Sequence, residues 1–270
     1  MSKKPDPKAE ASKAWRLLTS PMRTRPVFLM PGAPKCGSSS LFDALMLHPK
    51  VRRGVFKEPC SMIRYPGSEL RLRMNYPLVR PLAPWVCGDA SMEYWFHPDM
   101  PAQAARMMPE AKLIFIFREP VARAWSEHRM FRKSGNDSAD FTQTVSNAVK
   151  WLSDPSARDI CLSALRQSSN PLRYVRCGMY ADIVREWWRH FSREQSLVLF
   201  LEEVISSPQE QLAKVWHHLG LESVSVQSMP HARDGGGGDS IPVDAHRILG
   251  DFYSPLNADL ESLLGQKLPW

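Results

Sequence analysis

Residues 27–41 read Val27-Phe28-Leu29-Met30-Pro31-Gly32-Ala33-Pro34-Lys35-Cys36-Gly37-Ser38-Ser39-Ser40-Leu41: an apolar run, a loop bounded by glycines, and a serine-rich helix start. The apolar run predicts a buried strand at about 26–31, and the segment after Gly37 predicts a helix at about 38–47. Gly32 and Gly37 enclose four residues, the spacing of the Walker A loop G-x-x-x-x-G-K-[ST]. Here Ser38 occupies the Walker lysine position, and the lysine of the loop is Lys35. Gly37 permits close backbone approach, the amides of residues 37–40 point out of a helix start, and Ser38, Ser39 and Ser40 add hydroxyl donors, which together suit an anion. A Walker lysine reaches the terminal phosphates of a nucleoside triphosphate, whereas Lys35 precedes the helix and belongs beside a bridging oxygen or leaving group. A ligand-free glycine-serine turn has the same local appearance, so a second motif is needed.

Leu113-Ile114-Phe115-Ile116-Phe117-Arg118-Glu119-Pro120 supplies it. The run predicts a buried strand at 112–117, and Pro120 near a first helical position predicts a helix from 120 to about 133. Arg118 then ends a central strand, where open α/β sheets bind their ligands. Its planar guanidinium suits a phosphate dianion, and Ser126 on the following helix adds a hydroxyl donor. An arginine paired to a surface carboxylate is the alternative for this motif taken alone.

Outward from these motifs, a short strand is predicted near 51–56, another over Trp85–Asp89, and a helix near 99–108. Residues 135–175 read as a helical insertion. Ile183, Trp187 and Phe191 lie one turn apart and mark a helix within 179–191, followed by a strand at Ser196–Leu201. Ser207-Pro208-Gln209-Glu210 predicts an N-cap, a first-position proline and a capping-box glutamate, with Leu212, Val215, Trp216 and Leu219 inward and Gly220 as the stop. Four glycines at 235–238 form a loop before a last helix at about 255–264. Alternating strands and helices imply an α/β fold of three layers, a central parallel sheet covered on both faces. Residues 1–21 read as a basic, flexible tail and 22–270 as a single domain.

The 270 residues are 43% hydrophobic and 23% charged, ordinary for a globular chain, with no run of transmembrane length and no apolar core of a secretory signal at the start. Cys36, Cys60, Cys87, Cys161 and Cys177 form no C-x-x-C pair, which predicts free thiols, a reducing cytoplasmic setting and no metal site. The net charge of +7 is uneven: residues 50–80 hold eight Lys or Arg against Glu58 and Glu69, and residues 1–25 hold seven against Asp6 and Glu10. The second cluster follows the phosphate loop's helix and contains Lys57-Glu58, so it predicts a basic border to the site that attracts anions.

The loop and the Arg118–Ser126 pair, in this order and about eighty residues apart, resemble the 5′-phosphosulfate and 3′-phosphate motifs of sulfotransferases that use 3′-phosphoadenosine 5′-phosphosulfate (PAPS). The branch indicated contains carbohydrate and glycosaminoglycan sulfotransferases with their bacterial relatives. Leu47-His48-Pro49, Lys57-Glu58-Pro59, Gly88-Asp89-Ala90-Ser91-Met92-Glu93-Tyr94 and Gly178-Met179-Tyr180 add to the pattern, as does the closing Tyr253-Ser254-Pro255-Leu256-Asn257. The resemblance implies the P-loop-NTPase-like sulfotransferase fold and transfer of a sulfuryl group to a hydroxyl or amine of a carbohydrate or small-molecule acceptor. It further implies adenosine 3′,5′-bisphosphate (PAP) as product, no obligatory metal and no nucleic-acid partner. Lys35, Cys36, Gly37, Ser38, Ser39, Ser40, Arg118 and Ser126 are then donor-binding residues, with Arg233 from a late loop as a further match. Lys35 is implied to stabilise charge on the leaving phosphate, and Glu58 to act as general base; a salt bridge from Glu58 to Lys57, Arg52 or Arg53 is equally open, with Asp89, His97 and His128 as substitute bases. Relatives acting on heparan chains carry a lysine near Asp89-Ala90-Ser91 and an aromatic pair after Lys-Glu-Pro; Ala90 and Cys60-Ser61-Met62 stand there instead, which implies a different acceptor site.

Three rival readings compete. A nucleotide-dependent kinase with a deviant P-loop would use Glu202 or Glu203, after the apolar strand, to hold magnesium. A cysteine phosphatase would use Cys36 with a depressed pKa, but needs an arginine six positions later, where Phe42 stands. A polyanion-binding module would rest on the two basic segments alone.

Overall fold

The computed structural model describes residues 7–82, 84–154, 165, 170, 172–226 and 240–270. The helices before the second strand are α1 (Pro7–Leu18), α2 (Ser38–Leu45), α3 (Ser61–Arg64) and α4 (Glu69–Arg73), and β1 is Phe28–Gly32. Then come β2 (Gly88–Asp89), α5 (Met100–Met107), β3 (Lys112–Phe117), α6 (Pro120–Lys133), α7 (Phe141–Leu152), α8 (Leu172–Arg176) and α9 (Tyr180–Trp188). The chain closes with β4 (Ser196–Phe200), α10 (Leu201–Ser206), α11 (Pro208–His218) and α12 (Val243–Leu264).

The sheet has the order β2-β1-β3-β4 with every pairing parallel. Parallel strands buried on both faces need unbroken apolar sequence; all five residues of β1 and Leu113–Phe117 of β3 are buried accordingly. β1 and β3 are neighbours, so their carboxyl ends set the two phosphate-type motifs about 5 Å apart in the sheet direction. The amide of Ala33 donates to the carbonyl of Ile116 (2.9 Å), which fastens the start of the glycine-bounded loop to β3.

Two cores result. The larger surrounds the sheet and takes in Trp95, Trp187 and Trp216, and the inward residues Leu212, Val215 and Leu219 of α11. The smaller joins α6, α7, α8 and α12 through Trp125, Phe141, Val145, Tyr174, Leu249 and Tyr253. The region read as a helical insertion supplies α7 and α8 to this second core.

Several local expectations change. The strand expected near 51–56 is a single parallel bridge, Val51 to Val86, because the chain bends over residues 55–57 and Gly54 is pressed against the carbonyl of Asn75. The strand expected over Trp85–Asp89 pairs only at its last two residues. The segment read as a tail is helical from Pro7 to Leu18 and leads into the buried Thr19 and Ser20. The Ser207 hydroxyl makes no capping bond: Ser207 also ends α10, its N–H bonded to the Glu203 carbonyl, and its φ/ψ of −137°/58° is not the extended cap geometry. The last helix begins at Val243 and runs through Pro255. An internal proline costs about 3 kcal/mol, which the burial of Leu249, Tyr253 and Leu260 against neighbouring helices offsets. The glycine run 235–238 lies outside the described residues.

Candidate active site

The glycine-bounded loop leaves β1 at Gly32, where a Cβ would meet the Trp95 indole at 2.1 Å, so only glycine lets this strand end lie under that ring. At its far end Gly37 has φ +85°, and a Cβ there would also strike Leu201 Cδ1 at 2.6 Å. α2 starts at Ser38 without a side-chain cap, so the backbone amides of its first turn face outward, the arrangement that binds an anion. Ser39 and Ser40 are half-buried at this mouth, while Ser38 is buried.

Lys35 has a left-handed backbone (φ 67°), and its ammonium lies 3.5 Å from Met130 Sδ on α6. It thus reaches across the site toward the helix that carries Ser126, which shares a face with Met130 at i, i+4. Burial pulls the Lys35 pKa below its ordinary value, Glu127 opposes this, and nearby Arg118 and Arg123 depress it further. Burial is the largest cause, and an anion bound beside the ammonium would compensate both that burial and the neighbouring guanidinium groups.

Arg118 follows β3 and is half-buried. Its carbonyl accepts from the Tyr180 hydroxyl at 2.8 Å, and the Tyr180 ring stacks on Phe117 at 4.3 Å. The same hydroxyl is 3.7 Å from Cys36 Sγ, so one buried tyrosine braces both loops. The next residue, Glu119, caps α6 through its carboxylate, accepting from the amides of Val121 and Ala122 at 2.9 and 2.6 Å. Beneath the site Glu127, fully buried, receives Arg123 (2.8 Å) and Arg173 (2.7 Å). The brace from Tyr180 and the Arg123–Glu127–Arg173 cluster were missed in the sequence, since the partners are 46 to 144 residues apart in part and each looked like an ordinary helix residue.

The sequence places Lys57 in a basic border to the site. Its ammonium donates to Ser39 Oγ at 2.7 Å and pairs with Glu58 at 3.0 Å, which brings the Lys57-Glu58-Pro59 segment onto the first turn of α2. Glu58 therefore sits at the mouth, 38% exposed, with a cation beside it. Its salt bridge is to Lys57; Arg53 pairs instead with Asp43, and Arg52 stacks on Trp85.

Two substitute bases are placed elsewhere in function. Asp89 is fully buried and accepts from the Ser91 amide (3.0 Å), the Ser91 hydroxyl and Tyr94 (2.6 Å). His128 is buried in the second core, stacked on Trp125. His97 follows the 3-10 turn Met92–Phe96 and is half-buried. Cys36 contributes its backbone to the loop but turns its thiol into the core, where burial pushes the pKa up to about 12. That removes the phosphatase reading, because a thiol of such pKa is not a nucleophile near neutrality. Glu202, an acid of the kinase reading, accepts from the Glu119 amide at 3.0 Å. The basic segments are not one polyanion face: Arg71 lies over Tyr65, Arg80 over Trp85, and Arg73 donates to the carbonyls of Pro21 and Arg23. Arg233 lies outside the described residues. Among the described residues, no helix is long and apolar enough to cross a membrane.

Comparison with known proteins agrees with this geometry. The chain is 25% identical over 304 residues to carbohydrate sulfotransferase 15 of Rattus norvegicus, covering 90% of this chain and 54% of that protein, so it spans about half of that relative's length. It is 28% identical over 283 residues to heparan sulfate glucosamine 3-O-sulfotransferase 6 of Homo sapiens, covering 94% of this chain and 76% of that protein. Among solved structures, a sulfotransferase from Alicyclobacillus acidocaldarius superposes with a TM-score of 0.70 at 24% identity, over 91% of this chain and 98% of its own. A mouse sulfotransferase in complex with PAP gives a TM-score of 0.54 at 15% identity, over 94% of each chain. These likenesses show the expected three-layer fold. Residues 25–231 match the sulfotransferase domain, and the chain belongs to that family.

Proposed function

We propose that this protein transfers the sulfuryl group of PAPS to a hydroxyl or amine of a carbohydrate or small-molecule acceptor. The observation that carries the reading is the convergence of Lys35, Lys57 and the uncapped first turn of α2 on one mouth, with Glu58 beside them. The donor supplies an activated sulfuryl group on a phosphate leaving group. The α2 amides and the Ser39 and Ser40 hydroxyls hold its 5′-phosphate; Arg118 and Ser126 hold the 3′-phosphate. Lys35 neutralises charge on the departing phosphate oxygen, and its pKa, lowered chiefly by burial, marks a half-buried cation that this charge stabilises. Glu58 takes the acceptor proton, held in place by Lys57. Among the described residues no group of three or more His, Cys, Asp or Glu is placed to hold a metal ion, and Lys35, Arg118 and Lys57 supply positive charge at the mouth.

The carbohydrate class rests on the two named relatives, and the mouse neighbour's PAP supports the donor. Cys60, Ser61 and Met62 stand where heparan-acting relatives carry an aromatic pair, and Ala90 where they carry a lysine, a difference that supports a different acceptor site. A cytoplasmic setting is supported by four buried free thiols, Cys36, Cys60, Cys87 and Cys177. The test is calorimetry with PAP and with ATP–magnesium, followed by transfer of labelled sulfate from PAPS to a carbohydrate panel. Tight PAP binding without magnesium is expected; magnesium-dependent ATP binding with none to PAP would overturn the reading.

A further inference from the structure

A cavity of about 210 Å³ opens between α1, residues 56–59 and the α3–α4 region. Its wall carries three cations, Lys13, Arg16 and Arg64, and two aromatic rings, Phe56 and Tyr65, together with Pro59, the residue after Glu58. No carboxylate lines it, and among the described residues no ion pair involves Lys13, Arg16 or Arg64. The Arg16 guanidinium lies 5.6 Å over the Phe56 ring, and its Nη1 is buried without a hydrogen-bond partner. A buried guanidinium nitrogen with no acceptor is costly, and a carboxylate or sulfate oxygen satisfies it in bidentate geometry. The cavity is short of the ~300–1,000 Å³ of drug-sized sites, which suits a single ring. It is next in the chain to the proposed base: Pro59 follows Glu58, and Glu58 is tied through Lys57 to Ser39.

We propose that this cavity is an acceptor subsite for a ring bearing an anionic group, an acidic sugar unit, with Arg16 and Arg64 as its specificity-determining residues. This rests on the sulfuryl-transfer reading of the adjoining mouth. The N-terminal helix α1 thereby becomes part of the acceptor site: its Arg16 and Lys13 line the cavity together with Arg64, and the Phe56 and Tyr65 rings add apolar surface for a sugar. Selection is electrostatic, since a neutral ring gains the stacking and leaves the guanidinium unpaired.

Ligand-observed NMR with methyl β-glucuronide and methyl β-glucoside, which differ in one carboxylate, tests this on the full chain with and without PAP. The glucuronide should bind about tenfold more tightly, the worth of one charge-assisted contact. Arg16→Gln and Arg64→Gln should each abolish that preference, Arg16→Lys should keep part of it, and glucoside and PAP binding should not change. Equal binding of the two glycosides to the wild type, or a preference that survives both glutamine substitutions, overturns the subsite. Loss of PAP binding by the wild type overturns the donor reading instead, and the PAP-free titration still reads the cavity. Arg64 belongs to a different helix, α3, so a folding defect confined to the Arg16 variant leaves the second variant decisive.

Discussion

Lys57 donates to Ser39 Oγ across 2.7 Å and so joins the Lys57-Glu58-Pro59 segment to the first turn of α2, eighteen residues earlier in the chain. Without that bond Glu58 is one of several acids on a basic surface. With it, Glu58 is held beside the uncapped start of α2, where the phosphate is proposed to bind, and the same ammonium lies 3.0 Å from its carboxylate. The pair sets the proposed proton acceptor and the proposed phosphate-holding turn in one frame.

Glu58→Gln keeps the shape and removes the base. Turnover should fall by about 10²- to 10⁴-fold, the usual worth of general-base catalysis, while calorimetry finds PAP affinity unchanged. Near-normal turnover would move the base to another residue.

Lys35 and Arg118 should separate kinetically. Lys35→Ala should cut kcat by about 10²- to 10³-fold with a small change in PAP affinity, because its charge serves the transition state. Arg118→Ala should instead weaken PAP binding, measured by titration, with a smaller effect on kcat at saturation. The opposite pattern exchanges their roles.

Native Cys36 should resist alkylation. Burial holds its thiol pKa up at about 12, with Arg123 opposing, and no edge of it is exposed. Iodoacetamide at pH 8 followed by mass spectrometry should label it only after denaturation, and Cys36→Ser should retain PAP binding. Rapid labelling of the folded chain would contradict the placement of this side chain.

Asp89 predicts a pH dependence. Burial pushes its carboxyl up to about 6 from an ordinary 3.8, hydrogen bonds from Ser91 and Tyr94 oppose the rise, and nearby Glu58 adds to it. The folded protein then holds the proton more tightly than the unfolded chain, so this contribution is present below about pH 4 and is lost as pH rises to about 6, by up to about 3 kcal/mol. Asp89→Asn keeps an acceptor oxygen and cannot ionise. Its urea midpoint should therefore gain on the wild type between pH 4 and 7, and parallel curves would refute the assignment.

Glu127 holds two buried guanidinium groups, those of Arg123 and Arg173. Glu127→Leu should destabilise the fold by about 3–5 kcal/mol, since it leaves buried cations without compensation. Chemical denaturation measures this directly, and a loss under about 1 kcal/mol would show that water or another acid takes its place.

The local grammar of the chain was legible where a few adjacent residues carry the decision. The apolar run before Gly32, the Phe117–Arg118 strand end and Pro120 set β1, β3 and the start of α6, the last of these at the observed residue. Gly220, expected as a stop, has φ +74° just beyond α11. The displacement of lysine from the Walker position to Lys35 also needed no tertiary information. Only packing decided the rest. Whether Ser207 capped a helix depended on its also ending another, and whether Pro255 broke a helix depended on what covered Tyr253 and Leu260. Periodicity reports which face of an element is apolar; it carries no record of what that face meets. For that reason Tyr180 beneath both loops, the inward turn of Cys36, the burial of Asp89 and the meeting of Lys57 with Ser39 were decided by contacts between distant segments. The sequence by itself determined which residues could hold a phosphate, and the tertiary structure decided which acid and which cations stand around it.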